Sequence, residues 1–411
     1  MIAVVGGGAA GFFAAIRAKE VSPQTDVVIF EKGAKPLAKV AVTGGGRCNL
    51  TNSFAGVADL RSVYPRGHNL MKRLFKTFDY RDTYKWFEDR GVPLVTQSDC
   101  CVFPQSQSSQ SIIDCLLRES LRLGVKVKPH HALAGITPAD GSLVLHFEGG
   151  QPDVVARGVI ITTGGHPRQS SFDYLRRLGH EIVPPVPSLF TFNIAEQAFR
   201  DLMGTVVERA QMTVVGERMR SEGPLLVTHW GMSGPCVLRL SSYAARWASE
   251  RQYHFRVAVN WVGETDCSSV VQSLTSLSAQ YAARQLDNVH PFGLPSRLWA
   301  YLLQKSGLLP QRRWGELGRK GINRLMELLT NDVYAVEGKS RWRDEFVTCG
   351  GVSLSSISSA TLQSKHVPGL FFAGEVTDVD AVTGGFNLQA AWTMGYVAGE
   401  QCASEITKLE L

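Results

Sequence analysis

The sequence contains no paired-cysteine motif and no long apolar run. Its eight cysteines, Cys48, Cys100, Cys101, Cys115, Cys236, Cys267, Cys349 and Cys402, include no CxxC. Their scatter gives neither a zinc spacing nor a secreted disulfide framework. This usage fits a reducing, cytoplasmic setting, and no metal site is expected. The apolar stretch at the start yields to glycine after about five residues, against roughly 7–15 in a signal-peptide core. No window approaches the ~20 apolar residues that cross a bilayer, so no membrane partner is expected. Charge of one sign is lacking too: 43 basic against 37 acidic residues leave a net +6. That balance is compatible with a phosphate-bearing ligand or RNA but demands neither.

At 411 residues, 44% hydrophobic and 19% charged, the chain has the composition of a globular protein and the length of two domains, or of one domain carrying an insertion. Glycine signatures stand near both ends. MIAVVGGGAAGFFAAI places Gly6, Gly8 and Gly11 in GxGxxG register, after an apolar run and before a helical one. Gly6 permits the tight turn, Gly8 lets a pyrophosphate approach the backbone, and Gly11 allows close helix–strand packing. The helix start, with Ala9 and Ala10, offers N–H donors to phosphates. A second strand, Asp26–Phe30, ends in Glu31, 20 residues beyond Gly11, where an acid bonds ribose hydroxyls. An acid there repels a 2′-phosphate, so this site suits FAD or NAD rather than NADP.

Near the other end, LFFAGEVTDVDAVTGGFNLQAAWTMGYVAG repeats the order of strand, Gly-acid turn, Gly-Gly and helix. The pair of signatures points to FAD, with its adenine half at one end of the chain and its flavin half at the other. Gly374-Glu375 is placed for a ribityl hydroxyl. The Gly385-Phe386-Asn387-Leu388 helix start is placed for the flavin edge, where its N–H groups stabilise an anionic reduced ring. Asp378 and Asp380 read as solvated turn residues rather than site residues. Between the signatures, VTGGGRCNLTN sets Gly44, Gly45 and Gly46 before Arg47, Cys48 and Asn49. Three glycines in a row are costly in regular structure, and suit a backbone passing close to something flat or charged. A surface turn with a buried cysteine is the plainer alternative. On the functional reading, Arg47 orients cofactor or substrate and Cys48 donates a proton.

The organisation follows from the same punctuation. Residues 70–90 and 109–123 read as helices, and Val154–Thr163 as a strand ending in Gly164-Gly165. The VPPVP cluster at 183–187 can continue neither a helix nor a central strand. Residues 188–264 then favour short strands and 265–335 helices, giving an inserted β-rich domain and an inserted helical domain within a host domain of residues 1–187 and 336–411. In THWGMSGP, His229 is a candidate acid/base near pH 7, or else a structural histidine beside the packing aromatic Trp230. Residues 72–90 and 312–324 interleave basic and aromatic side chains. Each is either a solvated helix face over a core stripe or a phosphate-contacting, base-stacking surface for RNA.

The blocks VTGGGRCNLTN, THWGMSGP and FVTCGGV…SKHVPGLFFAGEVTDVDAVTGGFNLQAAWTMGYVAG together resemble the BaiN/RdsA-type (YhiN-like) bacterial NAD(P)/FAD-dependent oxidoreductases, across essentially the whole chain. The resemblance implies an α/β, Rossmann-like two-dinucleotide-type FAD-binding domain with an inserted β-barrel-like domain and a small helical domain. It implies FAD contacts from Gly6 to Gly11, at Glu31, from Gly44 to Asn49, at Gly374-Glu375 and from Gly385 to Leu388; Lys32 beside the acid and Gly164 after the middle strand complete the candidate set. The chain departs from the family pattern in one place: Ser171-Phe172-Asp173 stands where the family has Gly-Asp-Gly, so only the acid is kept.

Three activities fit these residues. The first is reduction of a carbon–carbon double bond by hydride from flavin N5, with Cys48 as acid. Uridine in ribosomal RNA and an unsaturated steroid-like small molecule are its two substrate classes under the resemblance. The second is oxidation of a small amine or ketone, and the third is flavin binding without turnover. No second GxGxxG with its own acid appears, so NAD(P)H is expected to dock transiently as electron donor.

Overall fold

Ile2–Val5 is apolar at every position and wholly buried, the pattern of a central strand covered on both faces. A computed structural model, which describes residues 1–339 and 347–409, places it in the middle of a five-stranded parallel sheet. The order across the sheet is Leu370–Phe372, Gly158–Ile161, Ile2–Val5, Val27–Phe30 and Lys126–Lys128. The chain thus winds outward one way from the first strand and then the other, and the reversal leaves a crevice where Gly6 and Thr162 follow their strands. Ligands of doubly wound sheets bind at this position.

Two helices share one face of the sheet, Ala9–Val21 and Phe386–Leu409. They approach closely because the second presents glycine to the first. A Cβ on Gly395 would lie 2.5 Å from the Ala10 carbonyl oxygen, and one on Gly399 would lie 2.3 Å from that of Ala14. Phe13 fills the adjoining space against Trp86, Trp392 and Phe78. A three-stranded meander, Leu133–Ala139, Ser142–Phe147 and Val154–Ala156, contributes Phe147 to a ring contact with Phe30 at 4.9 Å.

Two expected elements divide. The 70–90 helix is two helices, His68–Leu74 and Tyr80–Glu88. The second starts afresh because Asp79 caps it, accepting from Arg81 and Asp82 N–H while the Asp82 carboxylate accepts from Asp79 N–H. The expected Val154–Thr163 strand is likewise two, Val154–Ala156 in the meander and Gly158–Ile161 in the parallel sheet. The proline-rich segment forms the strand Ile182–Ser188 in a two-stranded sheet with Val347–Val352, an arrangement that tolerates missing N–H donors.

The chain divides into two compact units, residues 1–186 with 347–411, and 187–346. The second holds a six-stranded antiparallel sheet ordered Phe192–Asn193, Gly231–Ser233, Arg220–Thr228, Val206–Val214, His254–Asn260 and Asp332–Glu337. Its two edges meet: Phe192 bridges to Lys339, and Asn193 N–H donates to Gly338 O at 3.2 Å. The sheet is therefore nearly closed, which removes exposed edges. The helices Pro235–Glu250, Cys267–Gln280, Ser296–Ser306 and Gly318–Thr330 pack into the same hydrophobic core, which includes Trp261, Trp299, Trp314 and Tyr334. Strands and helices of this unit share one hydrophobic core.

Gly399→Ala tests the helix crossing, because two effects oppose each other there. Helix propensity favours alanine by about 1 kcal/mol, whereas overpacking costs about 1–3 kcal/mol. With a rigid carbonyl oxygen in the way, we expect a net loss of about 1–2 kcal/mol, read as a lower thermal midpoint. A raised midpoint would show that the helices have room to spare.

Candidate functional site

The glycine turn after the first strand is shaped by backbone on both sides. Gly6 has φ +112°, and a Cβ there would lie 2.4 Å from Thr162 O; a Cβ on Gly11 would lie 2.0 Å from Gly6 O. Thr162 Oγ1 donates to the carbonyls of Val5 and Gly6 at 3.0 and 2.8 Å, locking the middle strand to the turn. Gly8 differs. Its φ is −96°, and a Cβ there meets no protein atom within 4 Å. Nothing in the protein requires glycine at that position; the open space above it, at the start of a helix with no side-chain cap, suits an anionic ligand held by backbone N–H groups.

Glu31 sits beside this space. One carboxylate oxygen accepts from Gly7 N–H and the other from Gly33 N–H, each at 2.7 Å. A carboxylate offers about four acceptor positions, so the group is fixed and still able to take ribose hydroxyls. Lys32 is exposed next to it. Ala9 and Ala10 open the helix, and a Cβ on Gly374 would lie 3.0 Å from that of Ala10. The two glycine signatures, remote in sequence, therefore meet.

The loop of three glycines joins them. Gly44, Gly45 and Gly46 all have positive φ, at 57°, 67° and 84°, a conformation that only glycine adopts freely in succession. Beyond the glycines, the loop is stitched to the second signature. Asn49, in the orientation that satisfies both ends of its amide, donates to Thr51 O at 3.1 Å and accepts from Gly385 N–H at 3.3 Å. Asn52 Nδ2 donates to Gly384 O at 3.0 Å, and Trp392 Nε1 to Leu50 O at 2.9 Å. Phe386 is buried, with its carbonyl accepting from Tyr64 OH at 2.9 Å; Leu388 is half-buried. The Asn387 side chain is engaged within its own turn, accepting from Ala381 N–H and donating to Ala381 O, each at 2.9 Å.

Arg47 is exposed, stacked 4.3 Å over the Phe103 ring and donating to Gly44 O at 3.2 Å. Cys48 is fully buried, with positive φ. Burial pushes its thiol up to about 12, against the opposing hydrogen bond with Thr43. The thiol is therefore protonated at neutral pH.

In the second signature, Glu375 accepts from Thr348 N–H at 2.9 Å and pairs with the exposed Lys39 at 3.2 Å. It lies against Gly164 and Gly165: a Cβ on Gly165 would come within 2.6 Å of its carboxylate. His166 follows directly, edge-on to Phe172 at 5.5 Å. Burial, together with the charges of Lys32 and Lys39, pushes its imidazole down to about 4, although Glu375 opposes this. Sequence reasoning passed over His166 and Lys39; the position of His166 immediately after the Gly-Gly was the available signal. Asp380 is corrected outright. It is fully buried in a two-pronged ion pair with Arg66, and Asp378 accepts from Gly350 N–H at 3.1 Å. Asp380 braces the turn from within, and Asp378, half-buried, braces it from the surface. In the departing segment, Asp173 opens a short helix and pairs with Arg176 at 2.7 Å.

His229 belongs to the other unit. It is exposed, edge-on to Trp230 at 4.4 Å, in a groove of about 410 Å³ lined also by Asn193, Arg200 and Glu337. Among the described residues, no group of three or more His, Cys, Asp or Glu side chains is placed to hold a metal, and no helix is long and apolar enough to cross a membrane.

The space over Gly8, the half-used Glu31 carboxylate and the meeting of the two signatures fit FAD. Fold and family define an FAD-dependent oxidoreductase with a Rossmann-type sheet. Within that class, the chain belongs to the HI0933-like protein Rossmann domain family, which matches residues 1–401. It is 27% identical to a 3-dehydro-bile acid delta(4,6)-reductase of Clostridium scindens over 98% of both chains. It is 28% identical to a ribosomal RNA dihydrouridine synthase of Escherichia coli over 97% of this chain and 96% of that one. Among solved structures, the 3-ketosteroid-delta4-(5alpha)-dehydrogenase of Rhodococcus jostii shares the fold with a TM-score of 0.51 at 15% identity, covering 98% of this chain and 96% of that one.

Two expectations follow. Gly8→Val would fill the open space, and the purified variant should lose most of its bound flavin while keeping its fold; unchanged flavin content would remove the adenine-side assignment. Because the folded state holds His166 near 4, below the ordinary histidine value of about 6.5, its contribution to stability is present above that ordinary value. The contribution is lost as pH falls from there toward 4. Acid unfolding between these limits should be shallower in His166→Gln, and identical curves would refute this placement.

Proposed function

We propose that the protein reduces a carbon–carbon double bond, and that its substrate is uridine in ribosomal RNA. The observation that carries the proposal is the full-length similarity to a ribosomal RNA dihydrouridine synthase, joined to a basic surface beside the flavin-side turn. FAD, when bound, supplies hydride donation and acceptance. The rest of the reading concerns this chain's own residues. The helix start at Gly8 to Gly11 holds the pyrophosphate, Glu31 takes the adenosine ribose, Glu375 takes the ribityl chain, and the backbone from Gly385 to Leu388 faces the flavin edge. Arg47, exposed on the strained loop, orients the substrate. Cys48 keeps its proton at neutral pH and is the candidate donor to the neighbouring carbon; its burial means that loop movement must accompany delivery. His229, exposed beside Trp230, is the second candidate acid. NAD(P)H serves as a transient electron donor, since the chain carries one GxGxxG with its acid, and the setting is cytoplasmic.

A second reading has its own support. The Clostridium relative is named as a 3-dehydro-bile acid delta(4,6)-reductase, a small-molecule enzyme similar over the whole chain. The two readings divide on one experiment. Nucleosides from the host's ribosomal RNA, measured by mass spectrometry, should lose dihydrouridine when the gene is deleted. The intact gene should restore it, and a Cys48→Ala copy should restore it poorly. An unchanged profile in a host that contains dihydrouridine would reject the RNA reading in favour of the small molecule.

A further inference from the structure

A groove of about 520 Å³ runs between the His68–Leu74 helix and residues 354–359. Lys72, Arg73 and Lys76 line it, all exposed, and no acid lines it with them. Among the surrounding cations, Arg61 pairs with Asp59, Arg66 with Asp380 and Lys85 with Asp89, while Arg81 donates to Tyr80 OH at 3.1 Å. These three have no ion pair among the described residues, and Arg73 makes only a 3.4 Å hydrogen bond to Ser359 Oγ. Lys72 lies on the helix and Lys76 in the turn that follows it. The floor is apolar, formed by Leu70, Leu354 and Ile357.

We propose that this groove is the track for the phosphodiester backbone of the RNA substrate. The inference rests on the RNA reading above. Three unpaired cations around an apolar floor complement a chain of phosphates joined by sugars and flat rings, and electrostatic attraction of this kind dominates RNA affinity. Position supports the same occupant. Gly67, which caps the helix, packs on Val379, where a Cβ would lie 2.6 Å from Cγ2. Arg66 pairs with Asp380, and Tyr64 OH donates to Phe386 O at 2.9 Å. The groove wall is thus tied to the turn that carries Gly385, so RNA gripped there is held against the flavin half of the site. A small-molecule substrate needs no such track.

The test titrates the FAD-loaded enzyme with ribosomal RNA from a host deleted for the gene, over a range of salt concentrations. In the triple variant Lys72→Gln, Arg73→Gln, Lys76→Gln, the slope of log affinity against log salt should shrink by about 2, roughly 0.7 for each single-strand phosphate that is no longer neutralised. The charge-keeping variant Lys72→Arg, Lys76→Arg should retain the wild-type slope, and matched circular dichroism and flavin content verify folding. An unchanged slope in the triple variant, or salt-insensitive binding by the wild type, overturns the groove assignment. Dihydrouridine formation in the same mixtures, with NADH and NADPH supplied as reductants, judges the RNA reading separately. Turnover by the wild type with no slope change in the triple variant removes the groove alone. A slope change without any dihydrouridine from the wild type keeps the groove and removes the reaction.

Discussion

The crossing of Ala9–Val21 with Phe386–Leu409 is the constraint on which the first unit depends. These helices start at the two glycine signatures, at opposite ends of the chain, and their close approach brings the signatures to the sheet crevice together. Gly395 and Gly399 let the second helix sit directly on the carbonyls of Ala10 and Ala14. A larger residue at either position would push the Gly374 turn away from the Gly8 turn, and both halves of a dinucleotide would lose their common frame. Close packing is what makes the distance between the ends irrelevant: interiors transmit a displacement of this kind because they have few voids to absorb it.

Among the described residues, each unit holds an almost completely buried carboxylate in an ion pair. In the first, Arg66 reaches Asp380 and holds the flavin-side turn; in the second, Lys305 meets Asp332 at 2.6 Å, with Tyr334 OH and Trp261 Nε1 donating to the same carboxylate. Burial raises the Asp332 carboxyl, and Lys305 with its hydrogen-bond donors works against that. Buried pairs add little net stability, since desolvation offsets the attraction, yet removal of one partner costs about 3–5 kcal/mol. Their effect is to fix geometry. Asp380 specifies where the turn lies, and Asp332 ties a strand to the helices packed beside it.

The glycine loop follows the opposite logic. Its three left-handed residues give up regular hydrogen bonding, and the loop is held from outside by Asn49, Asn52, Leu50 and the Phe386–Leu409 helix. A strained segment anchored at one end leaves Arg47 on the surface and Cys48 beneath it. That arrangement suits a site in which a cation meets the ligand and a neutral thiol waits below.

The parallel sheet, the nucleotide turn and the acid after the second strand were legible in the sequence because each depends on local pattern: an apolar run, glycines at fixed spacing, and a carboxylate at a fixed distance. The split of residues 70–90 was legible in principle through the Asp79 cap, which the helical periodicity on either side obscured. The burial of Asp380 was not legible, since its partner lies 314 residues away and the local sequence looks like a polar turn. The same holds for His166, whose depressed basicity comes from burial and from lysines on another segment. By itself, the sequence determined the cofactor class and the elements that carry it, through short-range spacing. Only the tertiary structure decided which charges are paired, which cations stand free in a groove, and that the second unit closes around one core, because pairing and packing are set by residues far apart along the chain.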